Sequence, residues 1–113
     1  MDTKLERVVL LKDFYGSLLT KKQNEAIRLH YENDWSLAEI AEITGGSRQA
    51  VYDLIKRSIE ALENYEKRLG FADKYASNRH LINEALGLLQ GGQFDDATKK
   101  ELQALLRQLK NTV

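Results

Sequence analysis

The sequence predicts an all-helical protein, and three observations support this fold class. None of the 113 residues is proline, and the chain is rich in the strong helix formers Leu, Ala, Glu, Lys and Gln. Glycines stand between stretches whose apolar residues repeat at helical spacing. Two pairs of polar residues also have the spacing of a capping box, which marks the first turn of a helix. This length fits one domain, or one domain with an appended helical unit.

Two helices are predicted before residue 32. The first covers about Lys4 to Tyr15, and Gly16-Ser17 ends it. Its apolar residues recur every three or four positions: Leu5, Val8, Val9, Leu11 and Phe14. Thr20 and Gln23 then form a capping box, so a second helix begins there and runs to about Tyr31.

A turn at Asn33-Asp34 leads to two further predicted helices that are joined by glycines. Ser36 and Glu39 form the second capping box, so a helix begins one residue after the serine. Gly45-Gly46 ends this helix, because glycine reaches a positive φ at little steric cost. The hydroxyl of Ser47 can then cap the helix that follows.

This fourth helix is predicted to be long. No breaker appears before Gly70, so the helix runs from Ser47 to Leu69, roughly 34 Å at 1.5 Å per residue. Its inward-facing residues repeat at helical spacing: Val51, Leu54, Ile55, Ser58, Ile59 and Leu62. Such an apolar stripe needs a partner, either the C-terminal helices or a second chain.

The C-terminal third is predicted to form a helical hairpin. One helix covers about Asp73 to Leu89, and Gly91-Gly92 makes the turn. Asp95-Asp96 begins the last helix, with Thr98 and Glu101 as an alternative capping pair. Its apolar face consists of leucines: Leu102, Leu105, Leu106 and Leu109. We expect them to form a core or a dimer interface rather than a groove for a foreign helix.

The domain organisation follows from these elements. Residues 1–69 are expected to form one domain, which contains the first four helices. Residues 70–113 are expected to form the hairpin, which acts as a packing or dimerisation unit.

The two helices joined by Gly45-Gly46 have the pattern of a helix-turn-helix. This motif presents the start of its second helix, the recognition helix, to the major groove of DNA. Arginine can pair with guanine and glutamine with adenine, while a helix start can hold a phosphate. The candidate nucleic-acid-binding residues are Ser47, Arg48, Gln49, Tyr52, Lys56 and Arg57. Solvated residues on an ordinary α-hairpin would give the same pattern, so the fold and the ligand are separate questions.

The charge balance argues against simple DNA binding. The whole chain has 17 basic and 17 acidic residues. Between Leu19 and Arg68, eight basic residues face nine acidic ones. A dedicated DNA binder usually has a basic surplus, so we expect modest affinity unless a dimer doubles the contacts. Asp53 would also repel phosphate if it faced the groove.

Part of this pattern resembles region 4 of bacterial sigma factors, which binds the −35 promoter element. The similarity covers about Leu19 to Glu63, and its motifs are Leu19-Thr20-Lys-Lys-Gln23, Leu29-His30-Tyr31, Ser36-Leu37-Ala38-Glu39-Ile40-Ala41, Ser47-Arg48-Gln49-Ala50-Val51-Tyr52 and Lys56-Arg57. Sigma-like units usually have a large apolar residue where this chain has Thr44, and Val or Ile where it has Gly46. The turn should therefore be looser than usual.

A second resemblance extends over nearly the whole chain. A set of motifs resembles the YlxM family of DNA-binding proteins from low-GC Gram-positive bacteria. They are Phe14-Tyr15, Leu18-Leu19-Thr20-Lys-Lys-Gln23, Ser36-Leu37-Ala38-Glu39-Ile40-Ala41, Ser47-Arg48-Gln49-Ala50-Val51-Tyr52-Asp53, Ile55-Lys56-Arg57, Leu62-Glu63 and Tyr65-Glu66. The genes of that family neighbour those of the GTPases of the signal recognition particle. The resemblance implies a small cytoplasmic helical protein, a homodimer, with a sigma-like helix-turn-helix. It also implies a regulatory or accessory role in protein targeting.

The sequence offers no chemistry for a cofactor, a metal ion or catalysis. It has no cysteine, and its only histidines, His30 and His80, lie far apart in the predicted elements. No His-x-x-x-His pair or phosphate loop occurs, so we expect neither an enzyme nor a cofactor. We also expect no signal peptide, because the apolar run Val8 to Leu11 is too short, and no membrane span. These features fit a reducing cytoplasm.

Two functions remain open at this point. The first is sequence-specific binding of duplex DNA by a regulatory protein. The alternative is a non-enzymatic adaptor or modulator of the targeting machinery, which contacts protein, structured RNA or components of the signal recognition particle. The looser turn and the neutral charge favour the adaptor, whereas the residues of the recognition helix favour the DNA-binding protein.

Overall fold

The computed structural model describes residues 3–112, and within them it contains α-helices and no β-strand. The α-helices are α1 (Thr3–Tyr15), α2 (Lys21–Ile27), α3 (Leu37–Thr44), α4 (Arg48–Leu69), α5 (Phe71–Gln90) and α6 (Asp96–Thr112). The predicted all-α class is therefore confirmed. The chain divides into two compact units, an N-terminal unit (Met1–Gly70) and a C-terminal unit (Phe71–Val113).

The N-terminal unit is built around α4, which contacts α1, α2 and α3. The apolar face of α4 alternates by four and three residues, as the sequence predicts, and its buried members include Val51, Ile55 and Leu62. One core cluster joins Val51 and Ile55 to Ala26, Leu29, Ile40 and Ala41 from the preceding helices. Burial of this apolar surface fixes the position of α3 against the first half of α4.

Every predicted helix start in the N-terminal half that depends on a polar cap is confirmed. The hydroxyl of Thr20 accepts from the Gln23 amide at 3.1 Å, and the Gln23 side chain accepts from the Thr20 amide at 2.9 Å. Ser36 and Glu39 make the same reciprocal pair at 3.1 and 3.0 Å. These bonds satisfy amides that no helical carbonyl can reach.

The end of the second helix differs from the prediction. Its α-helical part stops at Ile27, and the chain continues to Glu32 as a π-helix. The Asn33 amide bonds to the carbonyl of Arg28, five residues earlier, at 3.0 Å. Asp34 then takes a φ of 60°, which aspartate tolerates better than most residues. Apolar periodicity does not distinguish a π-turn from an α-turn, so the sequence could not show this change.

The C-terminal unit is a helical hairpin of α5 and α6, as predicted. The α5 helix begins at Phe71, two residues before the predicted start. The carboxylate of Asp95 accepts from the Thr98 amide at 2.8 Å, so Asp95 caps α6 and the alternative capping pair is not used. No residue of α6 is fully buried, and Leu106 is 51 % exposed. The hairpin therefore leaves part of its apolar surface uncovered.

No helix in residues 3–112 is long and apolar enough to cross a membrane.

Candidate nucleic-acid interface

The turn between α3 and α4 has the geometry of a helix-turn-helix. Gly45 ends α3 in the left-handed region, with φ at 76°. Ser47 is extended and its hydroxyl accepts from the Ala50 amide at 3.0 Å, which starts α4. Helix geometry leaves the amides of Arg48 and Gln49 without an acceptor inside the helix, so they can donate to a ligand.

A cleft brings four of the six candidate residues together. Ser47, Arg48, Gln49 and Tyr52 line it from α4. The opposite wall is the start of α3: Ser36, Leu37 and Ala38. Two capped helix starts therefore face one cleft, and each carries the partial positive charge of a helix N-terminus. This arrangement favours an anionic group such as a phosphate.

The candidate residues occupy different sides of α4. At 3.6 residues per turn, Tyr52 and Lys56 follow Arg48 at successive steps of about 40° round the helix, so these three lie on one side. Arg57 is nine residues from Arg48, or two and a half turns, so it lies about 180° away. All six candidate side chains are exposed to solvent. Lys56 and Arg57 do not line the cleft.

Gln49 is held by an acidic neighbour on the same helix. Its side-chain amide donates a hydrogen bond to the Asp53 carboxylate at 3.1 Å. A glutamine that reads adenine must use both its N–H₂ group and its oxygen. Asp53 would therefore compete with a base for Gln49, and it adds a negative charge near the candidate site.

The ion pairs distribute the charge unevenly over the N-terminal unit. The carboxylate of Glu63 pairs with Arg7 through two bonds of 2.9 and 3.0 Å. Two other acids are paired away from the recognition helix, Glu32 with Lys12 at 3.3 Å and Glu25 with Arg28 at 2.9 Å. By contrast, Arg48, Lys56 and Arg57 form no ion pair with any residue in the described part of the chain. Their charges therefore remain available to an external anion.

One carboxylate lies beside the cleft. Glu39 accepts hydrogen bonds from the backbone amide and side chain of Ser36, and these bonds lower the pKa of Glu39 from its ordinary value. Glu39 therefore stays ionised in neutral solution. Its charge is directed at the start of its own helix, where it offsets part of the attraction for a phosphate.

Sequence reasoning found the recognition helix but missed two parts of the surface. It did not place Ser36, Leu37 and Ala38 in the same cleft as Arg48, although the capping box at Ser36 was a signal that a second helix start lies there. It also considered Asp53 only as a source of repulsion. The spacing of four residues between Gln49 and Asp53 was the available signal for their hydrogen bond.

The described residues show no grouping suited to a metal ion. Nowhere in residues 3–112 do three or more His, Cys, Asp or Glu side chains come close enough to hold one. His30 lies against the backbone carbonyl of Trp35, with Nδ1 at 2.8 Å from the oxygen. His80 is in the C-terminal unit, where its Nε2 is 2.8 Å from the Glu84 carboxylate.

The fold and this surface define a helix-turn-helix protein, and comparison with known proteins gives the family. Residues 2–105 match the UPF0122 family, described as "Putative helix-turn-helix protein, YlxM / p13 like". The chain belongs to this family.

Relatives in several bacteria support this assignment. A UPF0122 protein of Symbiobacterium thermophilum is 46 % identical over 101 residues, which are 89 % of this chain and 94 % of that protein. A UPF0122 protein of Listeria welshimeri is 45 % identical over 111 residues, 98 % of each chain. One from Clostridium perfringens is 41 % identical over an alignment of 113 positions, which covers 98 % of this chain and 99 % of the relative. The similarity therefore includes the C-terminal hairpin as well as the helix-turn-helix.

Proposed function

We propose that this protein is a non-enzymatic regulatory protein that binds duplex DNA through the first three turns of α4. The observation that carries the proposal is the cleft in which the starts of α3 and α4 meet beside Arg48 and Gln49. A phosphate held there would position the chain on the duplex, and the exposed side chains of α4 would then reach base edges. Family membership supports the proposal, because the family is described as helix-turn-helix.

Each candidate residue has a distinct role in this proposal. Ser47 and the adjacent free amides hold the phosphate, while Arg48 pairs with guanine. Gln49 reads a base once Asp53 releases it. Tyr52 and Lys56 extend the contact along the same side of α4, whereas Arg57, on the far flank, contacts phosphate only.

We further propose that the protein acts as a homodimer assembled through the C-terminal hairpin. Ile82, Leu86 and Leu89 follow the spacing i, i+4, i+7, so they form one stripe along α5, and all three are exposed. A second hairpin would cover this stripe and complete a four-helix arrangement. Dimerisation would also double the number of cations that contact DNA, which compensates for the neutral charge of one chain.

A second candidate function is that of an adaptor in protein targeting, which the resemblance to YlxM proteins suggests. The same stripe on α5 supports it, because an exposed apolar face can contact a protein partner. In this case the partner would be a component of the signal recognition particle, and the cleft on α4 would contact structured RNA or nothing.

The test is a fluorescence-anisotropy titration at low and physiological salt. The intact protein is titrated with mixed-sequence duplex DNA and, separately, with signal recognition particle RNA. Two variants are compared, Arg48→Glu/Arg57→Glu on α4 and Lys99→Glu/Lys100→Glu on α6. Both variants change the net charge by the same amount, so a difference between them is due to position.

The proposal expects salt-sensitive binding of DNA that the α4 variant loses and the α6 variant keeps. Tighter binding of the RNA would favour the adaptor instead. Absence of binding at low salt, or equal loss in both variants, would overturn the assignment of α4 as the nucleic-acid site.

A further inference from the structure

The N-terminal unit contains an apolar groove on the side of the helix-turn-helix that does not face the cleft. The groove has a volume of about 470 Å³ and lies between α2, α3 and the start of α4. Its floor is formed by core residues such as Leu29, Ile40 and Val51, which are nearly fully buried. At its edge Ile43 is 63 % exposed, which is unusual for a large apolar side chain next to a core.

The groove is open because two residues at the turn leave it unfilled. Gly46 has no side chain, and an added Cβ would meet nothing closer than 3.8 Å. The hydroxyl of Thr44 donates back to the Ile40 carbonyl at 3.0 Å, so its polar atom is bonded within its own helix. The volume lies within the range of about 300–1,000 Å³ that is typical of small-molecule sites.

The charges at the rim are those of an anion site. Lys21 and Lys22 both line the groove, and neither forms an ion pair within residues 3–112. Glu25 also lines it, but its carboxylate is paired with Arg28 at 2.9 Å. Two uncompensated ammonium groups therefore stand next to an apolar floor.

We propose that this groove binds a small amphiphilic carboxylate, a molecule with an apolar body and a single anionic head. The body would lie along the exposed side chain of Ile43, above the floor of core residues, and the head would lie between Lys21 and Lys22. A protein partner fits less well, because a stable protein interface buries about 800 Å² on each side, far more than this groove offers. The site goes beyond the proposed DNA binding and exists whether or not α4 contacts DNA.

The test uses the full-length protein and a series of straight-chain acids below their micelle concentrations. Hexanoate, octanoate and decanoate are titrated while amide and methyl signals are followed by NMR, and octanol serves as the neutral match for octanoate. We expect shifts at groove residues such as Ile43, Val51 and Leu54. Affinity should rise about fourfold per added methylene until the groove is full, and octanoate should bind more tightly than octanol.

Two variants with matched controls test the two halves of the site. Lys21→Gln/Lys22→Gln should remove the difference between octanoate and octanol, whereas Lys99→Gln/Lys100→Gln on α6 should keep it. Gly46→Val should narrow the groove and weaken the binding of both probes. Gly87→Val is its control, because a Cβ at Gly87 meets no atom within 4 Å and lies outside the groove.

The proposal is overturned by any of three results. The first is that the NMR shifts are absent or confined to α5 and α6. The second is that octanoate and octanol bind the native protein with equal affinity. The third is that Gly46→Val binds octanoate as tightly as the native protein does. Circular dichroism of each variant distinguishes a loss of binding from a loss of the folded structure.

Discussion

The side chain of Gln49 donates a hydrogen bond to the carboxylate of Asp53 at 3.1 Å, one turn further along the exposed side of α4. This bond links the candidate base-reading residue to an acid that would repel a DNA backbone bound at α4. If α4 binds DNA as proposed, Asp53 lowers the affinity in two ways, since it occupies the Gln49 amide and places a negative charge near the phosphates. It also holds Gln49 in one orientation when no ligand is present.

We predict that replacing Asp53 strengthens DNA binding. Asp53→Asn removes the charge, and Asp53→Ala removes both the charge and the acceptor for Gln49. Removing one exposed like charge is worth about fivefold in affinity at most in low salt. Anisotropy titrations should rank the proteins in the order Ala, Asn, native, and only Asp53→Ala should change the preference among duplex sequences.

Glu60→Gln is the control for this prediction. Glu60 is an exposed acid seven residues further along the same helix, so its replacement removes a similar charge without touching Gln49. If Glu60→Gln strengthened binding as much as Asp53→Ala and with the same change in preference, the bond to Gln49 would have no role in recognition.

The sequence predicted the helices well because their starts depend on local bonds. A capping box needs only two residues three positions apart, and both boxes formed at Thr20 and Ser36 as expected. The π-helical segment after Ile27 could not be predicted, since it depends on how the chain turns back towards Trp35. The cleft could not be predicted from the sequence either, because it depends on the relative position of α3 and α4.

The ion pairs near the candidate site could also not be predicted from the sequence. The balance of eight basic and nine acidic residues from Leu19 to Arg68 suggested a weak attraction for DNA. The structure shows that acids such as Glu25 and Glu32 have basic partners away from α4. Counting charges in a sequence does not show which of them remain unpaired.

Gly46→Val should stabilise the protein. An added Cβ would meet only ordinary contacts, the nearest at 3.8 Å, and a side chain there would cover apolar surface in the groove. Loss of a glycine also reduces the conformational freedom of the unfolded chain, which is worth about 0.4–1 kcal/mol. Urea denaturation should show an increase of about 1 kcal/mol in the free energy of unfolding, and Gly46→Ala should give a smaller one. A decrease for both variants would mean that the turn cannot accept a side chain.

Tyr15→Phe should destabilise the N-terminal unit. The Tyr15 hydroxyl donates to the Glu66 carboxylate at 2.5 Å, and both residues are buried. The substitution keeps the ring but removes a donor from a buried carboxylate, which costs about 1–3 kcal/mol. The free energy of unfolding in urea measures the loss. Tyr65→Phe is the control, because that hydroxyl makes a bond of only 3.5 Å to the Leu18 carbonyl, and we expect little change.

The start of α3 should weaken in acid. The backbone amide and the hydroxyl of Ser36 hold the pKa of Glu39 below its ordinary value of 4.5. Because the folded state lowers this pKa, the bonds contribute stability above the pKa of the unfolded chain. That contribution is lost as the pH falls through the lower, folded value.

The NMR titration of the Glu39 carboxyl carbon checks this prediction. Ser36→Ala removes the hydroxyl but keeps the backbone amide, which is the larger cause, so the pKa should rise only part of the way to its ordinary value. Asp95 provides an internal control, because its pKa is lowered by the Thr98 amide in the other unit. An unchanged Glu39 pKa in the variant, or an equal change at Asp95, would contradict the capping explanation.

The exposed stripe on α5 predicts what happens when the proposed dimer is broken. Leu86 is 48 % exposed in a single chain, so Leu86→Lys should leave the chain folded while placing a charge in the middle of the proposed interface. Sedimentation should then show a dimer for the native protein and a monomer for Leu86→Lys. Ser77→Lys is the control: Ser77 is exposed and lies about 180° round α5 from Leu86, so the dimer should survive.

The same variants connect assembly to DNA binding, since a monomer presents one recognition helix instead of two. The slope of log affinity against log salt should therefore fall by about half for Leu86→Lys and stay unchanged for Ser77→Lys. A native protein that sediments as a monomer, or a Leu86→Lys protein that remains dimeric, would exclude the hairpin as the interface.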